Sequence, residues 1–133
     1  MRDEGAIELS EMLLNRARET LSFIPKYIEI GDYHTVLNRS YYAAFYAMKS
    51  IEILDGYDSK KHSGVISFFR QNYIKTGLLD TALSTIIGRL EQHREISDYN
   101  IVESFTKKDA EEQYYSACIF VEAIIQFHKK KII

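Results

Sequence analysis

Glycine and proline are scarce: six glycines and a single proline stand among 133 residues, about 5% of the chain, where average usage is about 12%. A β-sandwich or barrel of this length needs many tight turns supplied by Gly, Pro, Asn or Asp, so the shortage argues against both and for helices. There is one cysteine, Cys118, which excludes an internal disulfide and a thiolate metal cluster. Its setting, Ala117-Cys118-Ile119-Phe120-Val121, reads as a small buried side chain rather than a nucleophile. The longest apolar run, Tyr41 to Met48, falls far short of the roughly 20 residues of a membrane-spanning helix. The opening Met1-Arg2-Asp3-Glu4-Gly5 is not followed by a secretory apolar core, so the expectation is a soluble, cytoplasmic protein with no membrane contact. Charge of one sign is missing too: 17 Lys and Arg against 19 Asp and Glu leave a net −2, so any contact with a phosphate polymer has to be local.

Apolar residues, by contrast, make up 46% of the chain and aromatics 13%, enough for a core and too much for disorder. The length fits one domain, residues 1–133. Helical periodicity predicts five segments. The first runs from about Ile7 to Ile28, with Pro25 expected to kink or end it. Gly31 breaks the chain, and Asp32 can cap a second helix to about Leu54, closed by Asp55-Gly56. After a polar connection, Ser63 can cap a short third helix that ends at Thr76-Gly77. A fourth spans about Leu78 to Ile96, and a fifth runs from Thr106 to about Lys130, opened by Thr106 with Asp109 three residues on. Long helices joined by short connections pack as antiparallel neighbours, so the expected fold is all-α, an up-and-down four-helix bundle with an additional short helix. Aromatics on more than one side of the second helix imply burial nearly all round, and hence a homodimer covering one face; the alternative is that tyrosine hydroxyls reach solvent at the edge of a monomer core.

Two stretches carry candidate chemistry. In Glu91-Gln92-His93-Arg94-Glu95-Ile96-Ser97-Asp98-Tyr99, Arg94 and Asp98 are one helical turn apart. They form either a plain ion pair on a solvated face or, turned into a cleft, a phosphate clamp in which Asp98 orients the guanidinium and Tyr99 adds a hydroxyl. Ser59-Lys60-Lys61-His62-Ser63-Gly64 places Lys61 and His62 before a helix N-terminus, either an anion site or an ordinary helix start. No Glu-x-x-His pair occurs, and His34, His62, His93 and His128 lack ligand spacing, so no metal and no cofactor are expected. No Gly-x-Ser-x-Gly turn supports a serine hydrolase.

Three motifs occur together: Arg39-Ser40-Tyr41-Tyr42-Ala43, Lys60-Lys61-His62-Ser63-Gly64, and Arg94-Glu95-Ile96-Ser97-Asp98-Tyr99. Their order and spread over the chain resemble the HEPN domains of prokaryotes, in a branch marked by Arg-x-Tyr-Tyr-Ala, Lys-x-His-Ser-Gly and Arg-x-x-Ala-Asp-Tyr, from which this chain departs at Ser97. The resemblance implies a helical bundle, frequent dimerisation and a toxin–antitoxin setting with a minimal nucleotidyltransferase as companion. Catalytic HEPN ribonucleases pair an Arg with a His that follows it after four to six intervening residues. Here Arg94 matches, but Tyr99, Asn100 and Ile101 supply no His, and tyrosine is a poor general base at neutral pH. The resemblance also leaves open modification of Tyr99 by the partner enzyme, although the family places that Tyr two residues after the missing His. The expected function is therefore a nucleotide- or RNA-binding module using Arg94, Asp98 and Tyr99. Arg39 either joins them or pins two helices as a buried partner of Asp98. The alternatives are a metal-independent endoribonuclease using Arg94 with His93 or His62, and a structural assembly subunit.

Overall fold

The computed structural model describes residues 3–99 and 104–133. Five α-helices follow one another: α1 Glu4–Glu29, α2 Tyr33–Leu54, α3 His62–Phe69, α4 Ala82–Tyr99 and α5 Lys107–Lys131, with no strand among the described residues. A π-helical segment, Arg70–Ile74, extends α3.

Local chemistry sets most boundaries. Asp32 accepts from the Thr35 amide at 3.3 Å and from its hydroxyl at 2.6 Å, capping α2. The chain reverses at Gly31 and Gly56, with φ of +78° and +80°, a region that side chains with a Cβ avoid. Thr106 and Asp109 close a reciprocal capping box at 3.1 and 2.9 Å. Pro25 lies inside α1, which ends at Glu29, one residue beyond the expected Ile28. Two expectations need correction. Ser63 does not cap α3: the N-cap is Lys61, with no side-chain bond. Helix α4 begins at Ala82, where Asp80 accepts from the Ala82 amide at 2.8 Å, so Leu78 lies outside it and exposed.

The four long helices form an up-and-down bundle. At one end Ile24 of α1, Val36 of α2 and Ala110 of α5 pack together. At the other, the Ser10 hydroxyl of α1 donates to the Ser50 carbonyl of α2 at 2.6 Å and accepts from His128 Nε2 of α5 at 2.7 Å. Hence α1 runs opposite to both α2 and α5. His34 near the start of α2 meets Ser97 near the end of α4, so that pair is antiparallel as well. Helix α2 is the axis of the fold, packed by α1, α3, α4 and α5, and Tyr41, Ala44, Met48 and Ile51 are fully enclosed. Burial nearly all round is thus real, but its physical cause is the chain's own four other helices. The aromatics of α2 do not by themselves require a second subunit.

Candidate functional site

The third helix begins against the middle of α2 because Gly64 allows it. A Cβ there would lie 2.4 Å from the Ser59 hydroxyl and 3.0 Å from the Tyr57 hydroxyl, so only glycine lets α3 approach the connection before it so closely. Tyr57 also holds that start from outside, donating to the Gly64 carbonyl at 3.2 Å and stacking on Phe68 at 4.0 Å. His62 is thereby set into an aromatic nest. Its ring stacks on Phe45 at 4.3 Å and meets Tyr42 edge-on at 5.6 Å, and its Nδ1 is 2.9 Å from the Tyr41 hydroxyl.

From the other side, α4 presents Arg94. Its guanidinium lies 4.7 Å from the Tyr41 ring centre, and Nη1 donates to Asp98 Oδ2 at 3.3 Å. Arg94 is thus held from two sides, by the Tyr41 ring face and by the Asp98 carboxylate. The Arg94 side chain is 13% exposed, and its Nε is enclosed with no hydrogen-bond partner among the described residues. The position of α4 is set by Ser97, whose hydroxyl is 2.6 Å from His34 Nδ1 on α2. The departure from the alanine usual in this motif is thus matched by a residue on the facing helix.

Electrostatics keep the three groups in definite states. Burial pushes the Tyr41 phenol well above its ordinary value of 10, with the Arg94 charge working against that rise, so it stays protonated. Burial, then Arg94 and Lys49, lower His62 below its ordinary value of 6.5. Burial works against the Arg94 charge, yet Tyr41, Tyr42 and Asp98 outweigh it and the guanidinium remains cationic. A neutral imidazole and an un-ionised phenol share one hydrogen bond in either of two tautomers. His62 can therefore offer or accept a proton at its other nitrogen, beside a fixed cation.

The structure brings together some of the expected residues and separates others. Arg94 and His62 meet at Tyr41, and Asp98 joins them through Arg94. His93 does not: its Nδ1 bonds the Arg89 carbonyl at 2.8 Å and its ring faces Phe105. Tyr99 is 80% exposed at the end of α4, and Asn100 and Ile101 lie outside the described residues. Lys61 is exposed at the α3 N-cap. Arg39 neither reaches Arg94 nor pins Asp98; its fork bonds Asn38 Oδ1 at 2.9 and 3.0 Å and its charge rests 5.0 Å from the Tyr42 ring. The sequence names Tyr41 within an apolar run and a family motif, with no role of its own. A buried tyrosine needs a partner for its hydroxyl, and that requirement was the signal pointing to a histidine. Sequence reasoning also missed Lys49, which joins the site's positive field while pairing with Asp58 at 3.1 Å. Among the described residues, no group of three His, Cys, Asp or Glu side chains is arranged to hold a metal ion, and no helix is long and apolar enough to cross a membrane.

The family model described as HEPN domain matches residues 10–131. A UPF0332 protein of Thermotoga maritima is 30% identical over 117 residues, covering 88% of this chain and 89% of its own. Two proteins of Methanocaldococcus jannaschii, named Putative toxin MJ0142 and Putative toxin MJ0605, are each 30% identical, over 84% and 86% of this chain and 76% and 84% of theirs.

Proposed function

This chain belongs to the HEPN family, and on that premise we propose that it is a toxin-type module that binds RNA or a nucleotide through a phosphate held at Arg94. It acts in the cytoplasm as a homodimer beside a minimal nucleotidyltransferase, a setting the family resemblance implies; the names of two relatives support its toxin part alone. The observation that carries the reading is Arg94 itself. The guanidinium is locked on Tyr41 and tied to Asp98 through one nitrogen, which leaves donors for an anion beside neutral His62. A guanidinium fixed before the ligand arrives loses little freedom on binding, and its planar fork suits phosphate oxygens.

The convergence of His62 on the same spot favours a second reading, a metal-independent endoribonuclease. The family's acid/base histidine would follow Arg94 along the chain; here a histidine arrives from α3 instead. In that reading Arg94 stabilises the phosphate charge, and His62 takes the proton of the 2′-hydroxyl or returns one to the leaving oxygen.

One experiment separates them: the full chain, Arg94→Ala and His62→Ala are each incubated with a mixed RNA pool, with and without EDTA, and scored for retention and for cleavage. Binding without hydrolysis gives intact RNA whose retention drops at least tenfold in Arg94→Ala. A ribonuclease gives chelator-insensitive cleavage that both substitutions abolish. Retention and integrity unchanged by Arg94→Ala would overturn both readings.

A further inference from the structure

Tyr41, Phe45 and Lys49 follow one another at four-residue spacing and so form one stripe of α2. The His62 ring stacks on the first two, 5.7 Å from Tyr41 and 4.3 Å from Phe45. A cation closes each end of the stripe: Arg94 lies over Tyr41, and Lys49 Nζ lies 6.0 Å from the Phe45 ring centre. The charged and titratable groups around the imidazole are thus Tyr41, Tyr42 and Lys49 from α2 and Arg94 from α4, and the two cations both oppose its protonation.

Lys49 also holds the chain that delivers His62. Its Nζ donates to the Ser59 carbonyl at 3.3 Å and pairs with Asp58 Oδ1 at 3.1 Å. The Lys61 amide in turn donates to the Ser59 hydroxyl at 3.1 Å, so Lys49 is joined through Ser59 to the residue immediately before His62. The helix start has little of its own to fix it, since its N-cap Lys61 makes no side-chain bond. Tyr57 holds it at Gly64, and Lys49 holds the connection before it from α2. Asp58 is 61% exposed, and an ion pair with so exposed a partner adds little to stability. What the Lys49 contacts fix is the place of one imidazole.

We infer that Lys49 is a positioning residue for His62: by tethering the connection at Asp58 and Ser59 to α2, it keeps the imidazole on Phe45 with Nδ1 at the Tyr41 hydroxyl. The inference rests on the reading of the Arg94 and His62 site as the place where RNA or a nucleotide binds, and extends that site to a residue that acts through another.

The test follows the His62 ring by NMR in the full chain, Lys49→Met, Lys49→Arg and Asp58→Lys, with retention of the mixed RNA pool measured on the same proteins and on Arg94→Ala. At about pH 8 the imidazole is neutral in every variant, so its ring signals report position rather than charge. Lys49→Met keeps the length of the side chain and removes both contacts. It should move the His62 signals toward those of a free imidazole, raise the titration midpoint by about 0.5 pH unit or more, and lower RNA retention by about threefold or more. Lys49→Arg, which keeps the charge and the donors, should restore all three. Asp58→Lys changes an exposed position, leaves α2 unaltered and sets a like charge against Lys49; it should move the ring signals in the same direction while its added cation keeps the midpoint low. His62 signals that stay in place in both Lys49→Met and Asp58→Lys, or a displacement in Lys49→Met that Lys49→Arg does not restore, would overturn the inference. So would retention unchanged in Lys49→Met but lost in Arg94→Ala, which would leave Lys49 a support of the connection alone. Ring signals displaced as expected, with retention indifferent to Arg94→Ala, would instead sink the phosphate reading of Arg94 while the placement of His62 by Lys49 stands.

Discussion

Glu52 offers the sharpest physical test of the fold. It sits on α2 with 1% of its surface exposed, and neither carboxyl oxygen has a partner among the described residues. Desolvation, only partly opposed by Lys49, pushes its pKa from 4.5 to about 9. The folded state therefore holds a proton that the unfolded chain releases above pH 4.5, and stability falls as pH rises from about 4.5 to about 9. The limiting slope is about 1.4 kcal/mol per pH unit, so moving from pH 5 to pH 8 costs up to about 4 kcal/mol. Water penetration into the site reduces that ceiling; half of it is still a large share of the 5–15 kcal/mol that typically separates folded from unfolded states, to order of magnitude (~10 kcal/mol). Glu52→Gln removes the titration and keeps the shape. Urea unfolding of both proteins at pH 5, 6.5 and 8 should show the variant gaining on the wild type by at least about 2 kcal/mol across the range. The difference between the proteins is the readout, because His62 and His128, held neutral in the fold, tilt each absolute curve the other way as pH falls below 6.5. Parallel curves would refute the reasoning and mean that Glu52 is ionised and solvated in the folded state.

Three further outcomes are expected. In NMR titration His62 should protonate below pH 6.5 and should move upward in Arg94→Ala, since that change removes one of the cations depressing it and opens the site to water. Ser97→Ala should cost about 1 kcal/mol in urea unfolding by removing the shorter of the two contacts of His34 Nδ1 with Ser97, its carbonyl at 3.2 Å remaining, and a double-mutant cycle with His34→Ala should show the coupling. Gly64→Ala should destabilise by about 1–3 kcal/mol through the 2.4 Å clash with Ser59, and removing the Ser59 hydroxyl with Ser59→Gly should recover part of the loss in thermal unfolding.

Much of the fold was legible along the chain because it depends on neighbours in sequence. Scarce glycine and proline, the Asp32 cap, the Thr106–Asp109 box and apolar spacing are local facts, and the helices they mark are present in the structure. Boundaries slipped where a local signal met a tertiary one. Ser63 has the chemistry of a cap, but the approach of α3 to Tyr57 and Ser59 starts the helix two residues earlier than a Ser63 cap would allow.

The sequence by itself determined which residues form helices, which faces are apolar, and that Arg94 and Asp98 meet, because a separation of four residues is one turn whatever the surroundings. Tertiary structure alone decided that Tyr41 bridges Arg94 and His62, that His93 turns away, and that Arg39 rests on Tyr42. These meetings join α2, α3 and α4 across separations of 21 residues and more, and no periodicity along one helix fixes how another is rotated against it. That rotation is set by packing, here by Gly64 admitting α3 and by Ser97 tying α4 to α2.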